Sequence, residues 1–331
     1  MCIIDTPTTM KVLLVTNMYP TPSRPNYGIF VSEQAAAVTA AYPDVEYDVA
    51  YIPGVDSKLA YLKSIFQIKK RIDKGAYDLV HVHYGLSGLF LLNPFLKKIP
   101  VVVTLHGGDI QIEQGKNVQV AITKKVLKRS DVAITLNDNM DAIAGAICPR
   151  IEKIPCSVDI DTFSPPATRQ ALSRERCLSI IFPSSPERTV KNYPLFQATL
   201  GKLKERHGIC AKELILWGMP RTEVAQHMRM ADILLMTSIS EGSPQVVKEA
   251  MACNLPVVST DVGDVNILLE GVSDSICCRE NSPEALADSI AEVIDGKVSG
   301  IKSGRERILE LGLDNNSIAS RVYNVYNSIL Q

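Results

Sequence analysis

The chain has 331 residues, of which 46% are hydrophobic and 21% charged, and its formal net charge is −1. That is the profile of a globular protein of about two domains. It excludes a uniformly basic protein that binds nucleic acid by charge alone, and no apolar run reaches the roughly 20 residues that span a bilayer.

Charge is unevenly placed along the chain. Residues 58–129 hold 13 Lys and Arg against 4 Asp and Glu, whereas residues 231–295 hold 2 against 12. A basic earlier segment and an acidic later one imply two bodies facing different partners. Eight cysteines (Cys2, Cys148, Cys156, Cys177, Cys210, Cys253, Cys277 and Cys278) form no C-x-x-C pair, and residues 1–9 lack the basic and apolar stretches of a leader. Reduced thiols in a cytoplasmic protein are expected.

In chain order, apolar runs at Val12–Thr16, Glu46–Ile52, Asp78–Val82, Val101–Leu105 and Val132–Thr135 predict strands. Helical patterns fall between and after them, near Val31–Ala41, Lys58–Lys74, Leu86–Leu96, Val118–Arg129 and Met140–Ala146. A second series follows, with strands at Leu178–Phe182, Leu214–Trp217, Ile233–Met236, Val257–Ser259 and Ser275–Cys277. Its helices fall near Tyr193–Arg206, Arg221–Met230, Pro244–Cys253, Pro283–Ile294 and Ile301–Leu311. Such β-α alternation predicts parallel sheets covered on both faces. The Pro- and Ser-rich stretch around Ile154–Pro166 has no period and reads as a linker. The expected organisation is an N-terminal domain over 1–155, a linker over 156–170, a second domain over 171–312 and a closing segment over 313–331. In that last segment Ile318, Val322, Val325 and Ile329 recur at helical spacing.

The stretch Ser240–Ala252 carries the most chemistry. A strand leads into a turn of small residues (Gly242, Ser243, Pro244, Gln245) and then into a helix. Proline suits the first helical position, and a helix N-terminus after such a turn offers free N–H groups and a positive dipole end to a phosphate. Glu241 stands before the helix and Glu249 inside it. The outer acid can reach a group just beyond the phosphate, and the inner one can accept from paired hydroxyls such as those of a ribose. This pattern fits a diphosphate between two polyols, a nucleotide-sugar. Two acids that merely favour the helix dipole are the competing reading.

Other candidates lie at strand ends. Arg188 and Lys191 follow Leu178–Phe182, where two cations can neutralise a diphosphate or form a solvated loop. His106 and Asp109 bracket two glycines after Val101–Leu105, where a His can touch a ligand or cap a turn. Gly28 either lets backbone approach a phosphate or simply opens a helix. His81 and His83 are expected on opposite faces of their strand, one packed, with His83 on the acceptor side. No metal-ligand cluster is legible. No Gly-x-Gly-x-x-Gly follows the first strand, which weakens a dehydrogenase reading. Lys58–Lys74 mixes Leu59, Leu62, Ile65, Phe66 and Ile72 with six cations, fitting either a helix packed on the sheet or one lying on an anionic membrane.

The run from Glu241 to Glu249 and on through Asp261–Val265 resembles retaining glycosyltransferases of family four. So do the Thr104–Asp109 segment, the first loop through Gly28, and the linker ending at Phe163, although Cys156-Ser157 replaces the usual Asn-Gly. The resemblance covers nearly the whole chain and extends to enzymes of bacterial cell-surface polysaccharide synthesis of the teichuronic-acid type. It implies an α/β, GT-B protein: two doubly wound Rossmann-like domains facing a central cleft, with the last helix crossing back onto the first domain. The resemblance further implies Glu249 on the ribose, and Arg188, Lys191 and the turn Gly242–Gln245 on the diphosphate. Glu241 and His106 fall on the donor sugar, with Gly28 at the donor and His83 and Asp109 towards the acceptor. It implies no metal and no cofactor, the NDP-sugar being a co-substrate. The acceptor it implies is a glycan, free or lipid-linked, the second of which would bring the basic helix to the inner face of the membrane. Few residues separate Arg206 from Leu214, so the nucleotide-base side is expected to be trimmed. An NDP-sugar epimerase lacks a clear acid/base set here, and a non-catalytic nucleotide-sugar-binding subunit fits poorly with intact Glu241, Glu249, Lys191 and His106.

Overall fold

β-Branched and leucine-rich runs that are apolar at every position, without alternation, must be buried on both faces, and only a parallel sheet between helix layers does that. The computed structural model, which describes residues 9–111 and 117–331, has two such sheets. Residues 1–8, and with them Cys2 and most of the leader expectation, lie outside the described residues. The chain divides into two compact units, the first running to Cys156 and taking in Asn315–Gln331, the second covering Ser157–Asp314.

In the first unit six parallel strands follow the order β2-β1-β3-β4-β5-β6. They are β1 (Met10–Thr16), β2 (Val45–Tyr51), β3 (Leu79–His83), β4 (Val101–Thr104), β5 (Val132–Thr135) and β6 (Ile151–Lys153). Strands β3, β4 and β5 are buried at every residue, and β1 at all but Lys11. Helices α1 (Ile29–Ala41), α2 (Leu59–Lys74), α3 (Asn117–Leu127) and α4 (Asp138–Gly145) connect them. The helix expected over Leu86–Leu96 is instead a 3-10 segment, Gly85–Leu92. Its glycines admit α3 closely: a Cβ on Gly85 would fall 2.2 Å from Thr123, and one on Gly88 2.5 Å from Val126.

The second unit holds five parallel strands in the order β11-β10-β9-β7-β8. These are β7 (Leu178–Phe182), β8 (Ala211–Ile215), β9 (Ile233–Met236), β10 (Val257–Thr260) and β11 (Ile276–Cys278). Its helices are α5 (Tyr193–His207), α6 (Arg221–Met230), α7 (Gln245–Ala252), α8 (Val265–Leu269), α9 (Pro283–Ile294) and α10 (Gly304–Glu310). After α5 the chain turns at Gly208 (φ 68°) straight into β8, which forms the sheet edge and starts three residues before the expected Leu214. The expectation that all cysteines are reduced needs correction: Cys177 and Cys210 are disulfide-bonded, with Cα atoms 4.5 Å apart. They occupy the residues just before β7 and β8, and the Leu178 N–H to Cys210 carbonyl bond (2.8 Å) brings them side by side.

The final helix, α11 (Asn315–Leu330), belongs to the first unit. It packs on α1, and its Ile318, Val322 and Val325 are buried. Tyr326 is fully buried, its hydroxyl 2.9 Å from that of Tyr47, and Tyr323 stacks on Tyr42 at 3.7 Å.

Candidate active site

Open parallel sheets bind ligands beyond the carboxyl ends of their strands, where neighbouring strands send their chains in opposite directions. In the second unit that point lies between β7 and β9. The loops leaving these strands are tied together there. The Thr237 hydroxyl donates to the carbonyls of Lys191 (3.0 Å) and Asn192 (3.1 Å), and the Ile239 N–H donates to Val190 (2.8 Å). This binding brings Lys191 Nζ to 2.5 Å from Glu241 Oε1, to which the Ser238 hydroxyl also donates at 2.7 Å. The Lys191 and Glu241 side chains are 11% and 17% exposed, so water screens their attraction only partly. Arg188, three residues earlier, is exposed and has no side-chain partner among the described residues.

Gly242–Pro244 turn into α7 with Pro244 extended (φ −69°, ψ 113°) and Gln245 opening the helix. Gly263 (φ 63°) backs this turn so closely that a Cβ there would meet the Gly242 carbonyl oxygen at 2.5 Å. The hydroxyls of Ser184 and Ser243 are buried and lack a hydrogen-bond partner among the described residues. Gln245 turns its amide nitrogen to the Ser157 carbonyl at 2.5 Å. Glu249 is 3% exposed and pairs with Arg221, whose guanidinium lies 4.6 Å from the centre of the Phe163 ring. Reading the sequence misses Arg221. The signal was present: a cation at a helix N-terminus opposes the dipole and so implies a particular partner.

The first unit gathers a different set. Strand pairing sets His83 opposite Thr104, and His106 follows two residues on. His83 Nδ1 and His106 Nε2 are 3.2 Å apart. His81 lies behind His83 with ring centres 4.3 Å apart, and its two nitrogens meet the hydroxyls of Tyr326 (2.6 Å) and Thr104 (2.7 Å). The expectation that His81 and His83 point to opposite faces is therefore wrong. Residues two apart in a strand share a face, and only immediate neighbours alternate. Burial pushes His81 and His106 down to about 3 and His83 well below the usual imidazole value. All three rings are neutral at neutral pH.

Asp109 is fully buried, and its two oxygens accept from the backbone N–H groups of His106 (3.0 Å) and Gly85 (2.8 Å). Burial raises its pKa to about 6 against the opposing pull of those donors. It thus clamps the His106–Asp109 turn. Gly28 takes a left-handed conformation (φ 68°) at the start of α1, where a Cβ would lie 2.3 Å from the Met18 carbonyl carbon. Two residues on, the Phe30 ring approaches His106 at 5.1 Å. Among the described residues no group of three or more His, Cys, Asp or Glu side chains is arranged to hold a metal ion.

The chain is similar to known proteins along most of its length. Residues 11–162 match Glycosyltransferase Family 4, and residues 194–296 match Glycosyl transferases group 1. The D-inositol 3-phosphate glycosyltransferase of Xylanimonas cellulosilytica is 26% identical over 74% of this chain and 70% of its own. TuaC of Bacillus subtilis, a glycosyltransferase named for teichuronic acid biosynthesis, is 22% identical over 85% and 88%. Among solved structures, a sucrose-phosphate synthase from Thermosynechococcus elongatus aligns with a TM-score of 0.75 and 18% identity over 97% of this chain and 98% of its own. Anabaena HepE, solved with UDP and glucose, gives 0.70 and 16% over 96% and 100%. The fold is therefore GT-B, and the chain belongs to the family-four glycosyltransferases.

Proposed function

We propose that this family-four glycosyltransferase is a retaining enzyme that moves a sugar from an NDP-sugar to a glycan acceptor, lipid-linked, in the synthesis of a cell-surface polysaccharide. The observation that carries the reading is the Lys191–Glu241 pair at the β7/β9 switch point, with Glu249 eight residues on, inside α7. Lys191 and the Gly242–Gln245 turn hold the diphosphate, and Arg188 reaches it from solvent. The unpartnered hydroxyls of Ser184 and Ser243 favour this assignment, since a buried polar group without a partner is costly and phosphate oxygens would supply one. Glu249 takes the ribose hydroxyls, and Glu241 and His106 the donor sugar, with Gly28 at the donor as well.

In the reaction the bond from the anomeric carbon to the β-phosphate oxygen breaks. The acceptor hydroxyl bonds that carbon on the same face, and its proton leaves with the diphosphate. Such a step depends on stabilising the leaving group, which is where Lys191 acts. No residue is needed as a general base, and no metal or cofactor enters.

UDP-sugars are the first donors to try, because HepE binds UDP and glucose. Calorimetry with UDP-, GDP- and ADP-sugars should show one class binding, and Glu249→Ala should weaken it at least about tenfold, or roughly 1.4 kcal/mol. Absence of binding to the wild-type protein at millimolar donor would sink the proposal.

The lipid-linked acceptor draws support from α2. Its inner face (Tyr61, Ser64, Ile68, Ile72) is buried in the unit, yet Leu59, Leu62 and Phe66, spaced i, i+3, i+7, are 62%, 54% and 72% exposed among Lys58, Lys63 and Lys70. An apolar stripe rimmed by lysines suits an anionic bilayer surface at the cytoplasmic side. Phe66→Asp should reduce sedimentation with phosphatidylglycerol-containing vesicles about tenfold, from the lost burial of one aromatic ring. Equal sedimentation of variant and wild type would remove membrane contact from the proposal.

A further inference from the structure

We propose that His83 is a positioning residue whose Nδ1 accepts the Nε2–H of His106 and so fixes His106 in the tautomer whose Nδ1 lone pair faces outward. The inference rests on the reading of His106 as a contact of the donor sugar. It begins from strand register. Because β3 and β4 pair His83 with Thr104, the chain beyond Thr104 must carry His106 past the end of β3. Their nitrogens then lie 3.2 Å apart, the separation of an N–H···N hydrogen bond.

A neutral imidazole has one N–H and one lone pair. Burial keeps both rings neutral, so a single proton bridges them and one ring must donate while the other accepts. The choice propagates across His106. If His83 donates, His106 carries its proton on Nδ1. If His83 accepts, Nδ1 keeps its lone pair. Glycosyl transfer builds positive charge on the sugar ring, as in other reactions at an anomeric carbon. A lone pair directed at that charge stabilises it, whereas an N–H would oppose it. The productive arrangement is therefore the one in which His83 accepts.

His83 is held in place for this role. His81 packs against it, and His81 is itself fixed through both nitrogens by Tyr326 on α11 and Thr104 on β4. On the other side, Asp109 fixes the backbone N–H of His106. His106, half-buried, is thereby anchored at backbone and ring.

The test is imidazole 15N–1H correlation spectroscopy near neutral pH on the whole protein labelled at histidine, where the five histidines keep assignment tractable. His106 should be the Nε2–H tautomer in the wild type and should lose that preference in His83→Leu. His83→Asn, whose side-chain amide oxygen falls near the position of Nδ1, should restore it. With a donor and acceptor in hand, His83→Leu should lower kcat about three- to tenfold at unchanged donor KM, the worth of one orienting hydrogen bond, and His83→Asn should recover most of it. An Nδ1–H tautomer in the wild type, or identical tautomers in wild type and His83→Leu, overturns the proposal. A lack of sugar transfer by the wild type counts against the functional reading instead and leaves the spectroscopic outcome standing.

Discussion

Replacing Lys191 by alanine is expected to lower kcat about 10²- to 10³-fold, the usual cost of removing one preorganised group from the site where charge develops. The Lys191 ammonium stands between two loops, 2.5 Å from Glu241, and is largely shielded from water. In the free protein it neutralises Glu241. In the proposed reaction the departing diphosphate brings new negative charge to the same cation, and a partly desolvated cation acts more strongly there than an exposed one. Arg188 is exposed, so Arg188→Ala should cost less than Lys191→Ala. The variant also leaves Glu241 without its cation, and part of its loss would come from that side chain moving. Lys191→Arg separates the two effects. It keeps the charge but not the compact geometry, so it should hold Glu241 and recover turnover only in part. Single-turnover rates at saturating donor provide the measurement. A Lys191→Ala enzyme within about threefold of wild type would show that the leaving group is stabilised elsewhere.

The two sheets were legible from the sequence because buried parallel strands leave uninterrupted apolar runs, as at Val12–Val15 or Ile233–Met236. What escaped had no such mark. Strand β6 is only Ile151-Glu152-Lys153 at a sheet edge, too short and too polar to announce itself. The Gly85–Leu92 segment is apolar enough for a helix, and its departure follows from the close approach of α3, a tertiary fact. The Cys177–Cys210 bond depends on β7 and β8 being neighbours, which spacing alone does not state. At the candidate site, residue types were readable and contacts were not. Lys191 and Glu241 stood out singly, but their pairing spans 50 positions and needs the Thr237 bonds that join the two loops. Arg221 and Glu249 are 28 apart and meet only because the first residue of α6 comes against the inside of α7. Asp109 looked like a ligand-facing acid, and its role in holding the His106 turn becomes visible only once Gly85 is brought to it.

The imidazole cluster makes the first unit labile to acid, and the size of the effect can be bounded. An unfolded histidine takes up a proton near pH 6.5, whereas His81 and His106 in the fold do so only near 3, and burial holds His83 well below the usual imidazole value. Between those values the unfolded chain binds more protons, so stability is full above about pH 6.5 and is lost as the pH falls. Asp109 has the opposite sign. Its folded carboxyl protonates near 6 and an unfolded one near 3.8, so the fold gains stability as the pH drops through that range. At pH 5 the neutral imidazoles outnumber the one opposing carboxyl, so the unfolded chain binds more protons than the fold. Stability from these groups should therefore fall as the pH drops, by on the order of 1 to 3 kcal/mol per pH unit. Urea unfolding followed by far-ultraviolet circular dichroism at pH 5 and 6 measures the slope. The single tryptophan, Trp217, lies in the second unit, so its fluorescence follows that unit separately. His81→Phe loses the bonds to Tyr326 and Thr104 and should be less stable at pH 7. It also removes one titrating group, so its slope should be shallower than that of the wild type by about 1.4 kcal/mol per pH unit. Parallel slopes for the two proteins would mean that His81 is not held neutral by the fold, and the account of a neutral imidazole cluster in the first unit would fail with it.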